Sequence, residues 1–161
     1  MKTVILVRHG KSSWDYQVHD KDRPLKERGV MDGHLVASEF KSRNVEIDAV
    51  FSSPANRALH TCMIFLRVLN FPFSAFQITD ALYDFSGESI FQFLRNLDNG
   101  LNTVLIFGHN YAFTNVANSY GNISIDNVPT SGLVYLSFNV DDWSSLRKGI
   151  TKLTLFPKQL R

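Results

Sequence analysis

The sequence predicts an α/β fold: a three-layer α/β/α sandwich on a mostly parallel sheet with an antiparallel C-terminal edge. Three observations lead there. Two apolar runs rich in β-branched residues, Val4 to Val7 and the one within TVLIFGH (Thr103 to His109), read as strands buried on both faces. Segments of helical spacing alternate with the strands, as parallel sheets require. Two last apolar runs, LVYLSFNV from Leu133 and ITKLTLF from Ile150, flank the polar DDWSSLRKG and read as an antiparallel hairpin.

Taken in order, the first strand covers about residues 2–8 and runs without a polar break into Arg8-His9-Gly10. Gly10 frees the backbone to turn there. A polar loop containing DKDRP (Asp20 to Pro24) follows, then a helix from Leu25 to about Ser42. Its apolar positions Val30, Val36, Ala37 and Phe40 share a face, while Gly29 and Gly33 weaken it. IDAVFSS (Ile47 to Ser53) is a short strand ended by SSP. ANRALHTCMIFLRVLN from Ala55 is a second helix, with Ala58, Cys62, Phe65 and Leu69 on its buried face. AFQIT (Ala75 to Thr79) is a weak third strand. Ser86 is a candidate N-cap, with Glu88 in the first turn of a helix to about Leu97. The strand TVLIFGH mirrors the first: an apolar run, a glycine, a histidine. Asn110 can cap the helix after it, to about Ser119.

The chain of 161 residues is long enough to bury a substantial core and reads as a single domain over 1–161. With 44% apolar and 20% charged residues its composition is that of a globular protein. The net charge of +2 and the lack of a basic run imply neither nucleic acid nor a membrane surface as partner. No segment approaches the ~20 apolar residues of a spanning helix. The apolar run from Val4 is too short for a signal peptide. A single cysteine rules out an internal disulfide framework. The expected location is the cytoplasm.

Three strand ends offer polar groups to one edge of the sheet: Arg8 and His9, then Arg57 just beyond SSP, then His109 after Phe107-Gly108. Parallel strands point their carboxyl ends the same way, and open α/β folds bind ligands at that edge. Guanidinium forks suit the peripheral oxygens of a phosphoryl group. One imidazole can attack phosphorus while the other stabilises charge on the oxygens. Taken alone, Arg8 and His9 fit equally well as two solvated residues at a strand end. Ser12 reads either as a pocket residue or as a turn serine. Thr130 and Ser131 in VPTSG can fold back to the site or simply make a turn. His60, one helical turn from Arg57, fits an exposed helix position, and His19 and His34 have no motif around them. Cys62 does not support cysteine-phosphatase chemistry, because bulky, helical MIFL follows it and Arg67 comes one position early; it reads as core. There is no metal-ligand spacing and no Walker-type loop.

In this order and context VRHGKSSW, SSPANRALHT and FGHN resemble the signature of the histidine phosphatase (phosphoglycerate mutase-like) superfamily. The compact length, KSSWD, DRPLKERG and LYD at Leu82 to Asp84 resemble its SixA-type phosphohistidine phosphatase branch. The resemblance implies a phosphoglycerate mutase-like fold and His9 as the nucleophile that becomes phosphohistidine. It further implies that Arg8, Arg57 and His109 line the phosphate pocket and that no metal or other cofactor is needed. Tyr111 stands where the branch usually has proline after GHN, a departure that touches helix initiation rather than chemistry.

The leaving group decides the substrate class. An alkoxide needs a proton, and a positioned acid is worth about 10²- to 10⁴-fold. Asp84 falls where mutases and broad phosphatases of the superfamily place a glutamate. Glu88 reads more simply as a carboxylate at a helix amino terminus. SixA-type proteins generally lack an acid, which a phosphoramidate tolerates because imidazole, with a conjugate-acid pKa of about 6.5, leaves readily. The expected function is therefore hydrolysis of phosphohistidine on a partner protein through a covalent His9 intermediate. The alternatives are a phosphomonoesterase for a small phosphorylated metabolite, with Asp84 as acid, and a non-catalytic phospho-binding module.

Overall fold

The computed structural model describes residues 1–161. Six strands form one sheet: β1 (Lys2–Arg8), β2 (Ala49–Ser52), β3 (Phe76–Ile78), β4 (Thr103–Gly108), β5 (Leu133–Phe138) and β6 (Ile150–Leu155). They lie in the order β3-β2-β4-β1-β5-β6. β1, β2, β3 and β4 pair in parallel, whereas β5 runs antiparallel to both β1 and β6. The predicted mostly parallel sheet with an antiparallel C-terminal edge is therefore the observed one.

Alternation along the strands splits the core into two layers. Val4, Leu6, Phe51, Val104 and Ile106 face α3 (Glu88–Arg95) and α4 (Ala112–Tyr120). Ile5, Val7, Val50, Leu105 and Phe107 face α1 (Glu27–Lys41) and α2 (Asn56–Leu69). Val4 to Val7 are fully buried, which is why the pattern of β1 is a continuous apolar run. A last short helix, α5 (Pro157–Leu160), packs against α1; proline at its first position starts it, and four residues are too few to leave a periodic signal.

Local differences from the sequence reading have identifiable causes. α1 carries both Gly29 and Gly33 without breaking. Gly29 is needed, because a Cβ there would lie 2.4 Å from the Lys11 carbonyl oxygen. That contact lets the start of α1 press against the turn after β1. Ser86 does not cap α3. Gly87 (φ +113°) is the N-cap, and Asp84 supplies the acceptor for the N–H groups of Ser86, Gly87 and Ile90 at 3.0, 3.1 and 3.2 Å. Tyr111 is the N-cap of α4, and Asn110 serves the helix start from one residue earlier, its Oδ1 accepting from the Thr114 N–H at 3.1 Å.

No helix is long and apolar enough to cross a membrane.

Candidate active site

The carboxyl ends of β1, β2 and β4 meet at one cleft. Register places Arg8 beside Gly108, and the N–H of His9 donates to the Gly108 carbonyl at 3.0 Å. From the other side, the Ser131 N–H reaches the carbonyls of both Arg8 and His9 at 3.1 Å. The N–H of Gly10 donates to Thr61 Oγ1 on α2 at 2.9 Å. The backbone that presents Arg8 and His9 is thus held by β4, α2 and the turn before β5.

Arg8, His9, Ser12, Arg57, Asn110 and Thr130 line the cleft, with Lys11, Trp14, Asp20, Arg23 and Phe85. His109 lies beneath, fully buried, its ring centroid 5.2 Å from that of His9. The four residues chosen from the strand ends do converge. Ser12 is buried, and its Oγ accepts from Arg23 Nη2 at 2.7 Å. Thr130 reaches the cleft, whereas Ser131 acts through its backbone. His60 is half-buried and His19 and His34 are exposed, none of them lining the cleft.

Hydrogen-bond partners favour one tautomer for each imidazole. His9 Nδ1 lies 2.7 Å from the Gly10 carbonyl, which can only accept, so Nδ1 carries the proton and Nε2 keeps its lone pair. Burial chiefly, with His109, Arg57 and Arg8 adding to it, lowers the His9 pKa to about 3 against the Gly10 bond. His9 is therefore neutral at physiological pH. His109 Nε2 faces Ser53 Oγ at 2.8 Å. Ser53 Oγ also accepts from the Ala55 N–H at 3.2 Å, and its own proton has no acceptor but His109 Nε2, so donation to Nε2 leaves the fewest groups unpaired. That bond puts the remaining proton of His109 on Nδ1, which is buried with no acceptor. The His109 pKa is also lowered to about 3, by burial first and then by Arg57.

Unused donors converge here. Arg8 Nη1 donates to the Val128 carbonyl at 2.8 Å, yet its buried Nε has no partner. Arg57 uses Nη1 and Nη2 on Asp20, and its Nε is likewise orphaned. Buried donors without acceptors are uncommon. Together with Nδ1 of His109 they fit a polyoxygen anion beside a neutral imidazole nucleophile, which is the chemistry of phosphoryl capture.

Asp84 stands differently. It does not line the cleft, and its carboxylate serves the start of α3. Burial acts upward on its pKa, but the bonds from Ser86, Gly87 and Ile90 outweigh it and hold the group below the usual carboxylate range. Glu88 is exposed in the first turn of α3. Burial pushes the Cys62 thiol up to about 12 within the core of α2, removing it from nucleophilic chemistry. Sequence reasoning missed Ser53, Asp20, Arg23 and Tyr83. SSP signals only a strand end, and no short-range pattern says which residue of a polar loop turns inward.

A sequence profile of the histidine phosphatase superfamily (branch 1) matches residues 4–88. An uncharacterized protein of Mycobacterium tuberculosis is 25% identical over 160 residues, covering 93% of this chain and 98% of that one. The phosphoglycerate mutase of Schizosaccharomyces pombe is 35% identical over 72 residues, covering 43% of this chain and 34% of the mutase. Among solved structures, the protein histidine phosphatase SixA complexed with tungstate superposes with a TM-score of 0.83 at 26% identity, covering 99% of each chain. A profile spanning the strand ends that carry Arg8, His9 and Arg57 agrees with the geometry found there, and the chain belongs to the histidine phosphatase superfamily, branch 1.

Proposed function

We propose that this phosphatase hydrolyses phosphohistidine on a partner protein, with His9 as the covalent nucleophile. The observation that carries the reading is a set of unpaired donors on Arg8, Arg57 and His109 around a neutral imidazole, with the nearby carboxyl groups of Asp20 and Asp84 held ionised. His9 Nε2 attacks phosphorus and forms an N–P bond as the bond to the substrate imidazole breaks. That imidazole takes a proton from solvent, which reaches the open cleft. Arg8, Arg57 and His109 Nδ1–H hold the oxygens on which charge accumulates. Water then attacks phosphorus, the N–P bond breaks, and His9 regains its lone pair as phosphate leaves.

The similarity to SixA favours phosphohistidine. The similarity to a phosphoglycerate mutase favours a small phosphomonoester instead. An alkoxide leaving group needs a protonated acid. Asp84 is held ionised by backbone donors, and Asp20 by Tyr83, Arg57 and Arg23, so the first substrate class suits the site better.

Rapid-quench trapping with labelled phosphohistidine protein should leave acid-labile phosphate on His9, and His9→Ala should lose both label and turnover. Turnover of protein phosphohistidine should exceed that of alkyl phosphates and survive Asp84→Asn. Strong alkyl phosphate turnover abolished by Asp84→Asn would establish the phosphomonoesterase instead. Binding of phosphate without turnover of either class would leave a phospho-binding module.

A further inference from the structure

Arg57 does not wait for its anion with an empty fork. Its Nη1 donates to the Asp20 carbonyl at 2.6 Å and its Nη2 to Asp20 Oδ2 at 2.8 Å. The Tyr83 hydroxyl donates to the same Oδ2 at 2.6 Å, and Arg23 Nη1 reaches Oδ1 at 3.3 Å. Two guanidiniums and a phenol thus grip one carboxylate in the cleft that holds His9. Bidentate donation of this kind is what a phosphoryl oxygen pair would receive.

The Asp20 carboxylate is 43% exposed, whereas the Arg57 side chain is only 2% exposed. The loop bearing Asp20 is pinned at its base: the Ser13 N–H donates to the Pro24 carbonyl at 2.8 Å, the Lys26 N–H to the Lys11 carbonyl at 2.8 Å, and Ser12 bridges Leu25. The 3-10 turn Asp20–Asp22 has no buried residue. Beyond the Asp20 bonds to Arg57, Arg23 and Tyr83, it is tied to the body by Asn56 Nδ2 on the Asp22 carbonyl at 3.1 Å and by the Lys21 ammonium 4.8 Å from the Tyr83 ring centroid. Its carboxylate can leave without unpacking the core.

We propose that Asp20 is an internal competitor for the substrate phosphoryl group: it occupies an oxyanion seat made by Arg57, Arg23 and Tyr83, and substrate must displace it. This rests on the reading of the cleft as a phosphoryl site, and it adds Arg23 and Tyr83 to the groups that receive the anion. Arg23 is fit for that part. It is buried, its guanidinium lies 3.2 Å from the Trp14 ring centroid, and Ser12 Oγ and the Ser13 carbonyl fix it, so it is already oriented when Asp20 departs. A tethered carboxylate competes at the high local concentration of a short linker, so it sets substrate affinity without entering the chemical step.

The test is tungstate affinity by titration calorimetry, with kcat and KM for p-nitrophenyl phosphate, in Asp20→Ala and Asp20→Asn. Competition predicts that Asp20→Ala binds tungstate about tenfold more tightly, the gain for a latched form that outweighs the open one by roughly ten to one. KM should fall by a similar factor while kcat stays unchanged. Asp20→Asn should move the same way by less. Weaker tungstate binding in Asp20→Ala would make Asp20 an organiser of Arg57 and overturn the proposal. A loss of kcat would make it an acid or base and overturn it equally. Unchanged affinity would mean that the carboxylate yields its place without cost, and would overturn the proposal as well. Failure to turn over phosphohistidine, with tungstate binding tightened in Asp20→Ala, would remove the assigned substrate and leave the competitor standing.

Discussion

Proton placement on two imidazoles decides what the site can do, and each placement is enforced by one oxygen. The Gly10 carbonyl fixes His9, and the Ser53 hydroxyl fixes His109. Ser53 is fully buried and does not line the cleft; its hydroxyl serves His109 and accepts from the Ala55 N–H at the start of α2. Ser53→Ala removes the hydroxyl proton that His109 Nε2 accepts. Nε2 then has no partner in either tautomer, the preference for a proton on Nδ1 is lost, and the proposed donation from Nδ1 to a phosphoryl oxygen is made by only part of the molecules. The expected result is a kcat about 10- to 100-fold lower, the size of effect seen when a partner that orients a histidine is lost, with a stability loss of about 1–3 kcal/mol from the Ala55 N–H left without its acceptor. Nitrogen chemical shifts of the His109 ring would report the changed tautomer; an unchanged tautomer would refute it. Arg8, His9, Arg57 and His109 could be chosen from the sequence because each follows a legible strand or its SSP terminus. Ser53 could not, since its part depends on a partner 56 positions away.

At the scale of elements, the turn after β1 is built jointly with α1. Gly10 and Gly29 meet face to face: a Cβ on Gly10 would lie 2.9 Å from the Gly29 carbonyl oxygen, and one on Gly29 would lie 2.4 Å from that of Lys11. From helix propensity alone Gly29 counts against α1, which is why the glycines weakened that helix in the sequence reading. The close approach reverses the sign. Gly29→Ala should gain roughly 1 kcal/mol of helix propensity but force backbone apart, for a net loss of about 1–3 kcal/mol. Because the displaced segment is Gly10-Lys11, activity should fall more than stability does. Gly33→Ala is the control, since its Cβ would meet only the flexible Ile64 side chain at 3.4 Å. Urea midpoints for both variants, with turnover under native conditions, separate the cases. Strands and long helices were legible through period and punctuation; the Asp84 cap was not, because an aspartate before a helix and a catalytic carboxylate look alike until its acceptor bonds are seen.

For the whole molecule, folding buries two histidines in their neutral forms, and this links stability to pH. The pKa values of His9 and His109 are lowered to about 3, by burial in the first place, while an unfolded histidine titrates near 6.5. Between about pH 6.5 and 3 the unfolded chain therefore binds protons that the native protein does not. Stability rises with pH wherever the unfolded state holds more protons, so acidification destabilises the fold through this window. Above about pH 6.5 both states hold neutral imidazoles, and the histidine contribution to the slope vanishes. Each histidine adds a slope of up to about 1.4 kcal/mol per pH unit. Asp20 is held at about 2 by Tyr83, Arg57 and Arg23 against its partial burial, so it loses its bonds only at the acid end of this range. Its exposure makes that contribution smaller still. The thermal midpoint should be flat from about pH 8 to 7 and fall steadily from pH 6 to 4, before most carboxylates protonate. His109→Asn should roughly halve the slope between pH 6 and 4.5. A midpoint flat down to pH 4.5 would mean that an imidazolium is accommodated in the core, and the proposal of a neutral His9 nucleophile would lose its physical basis.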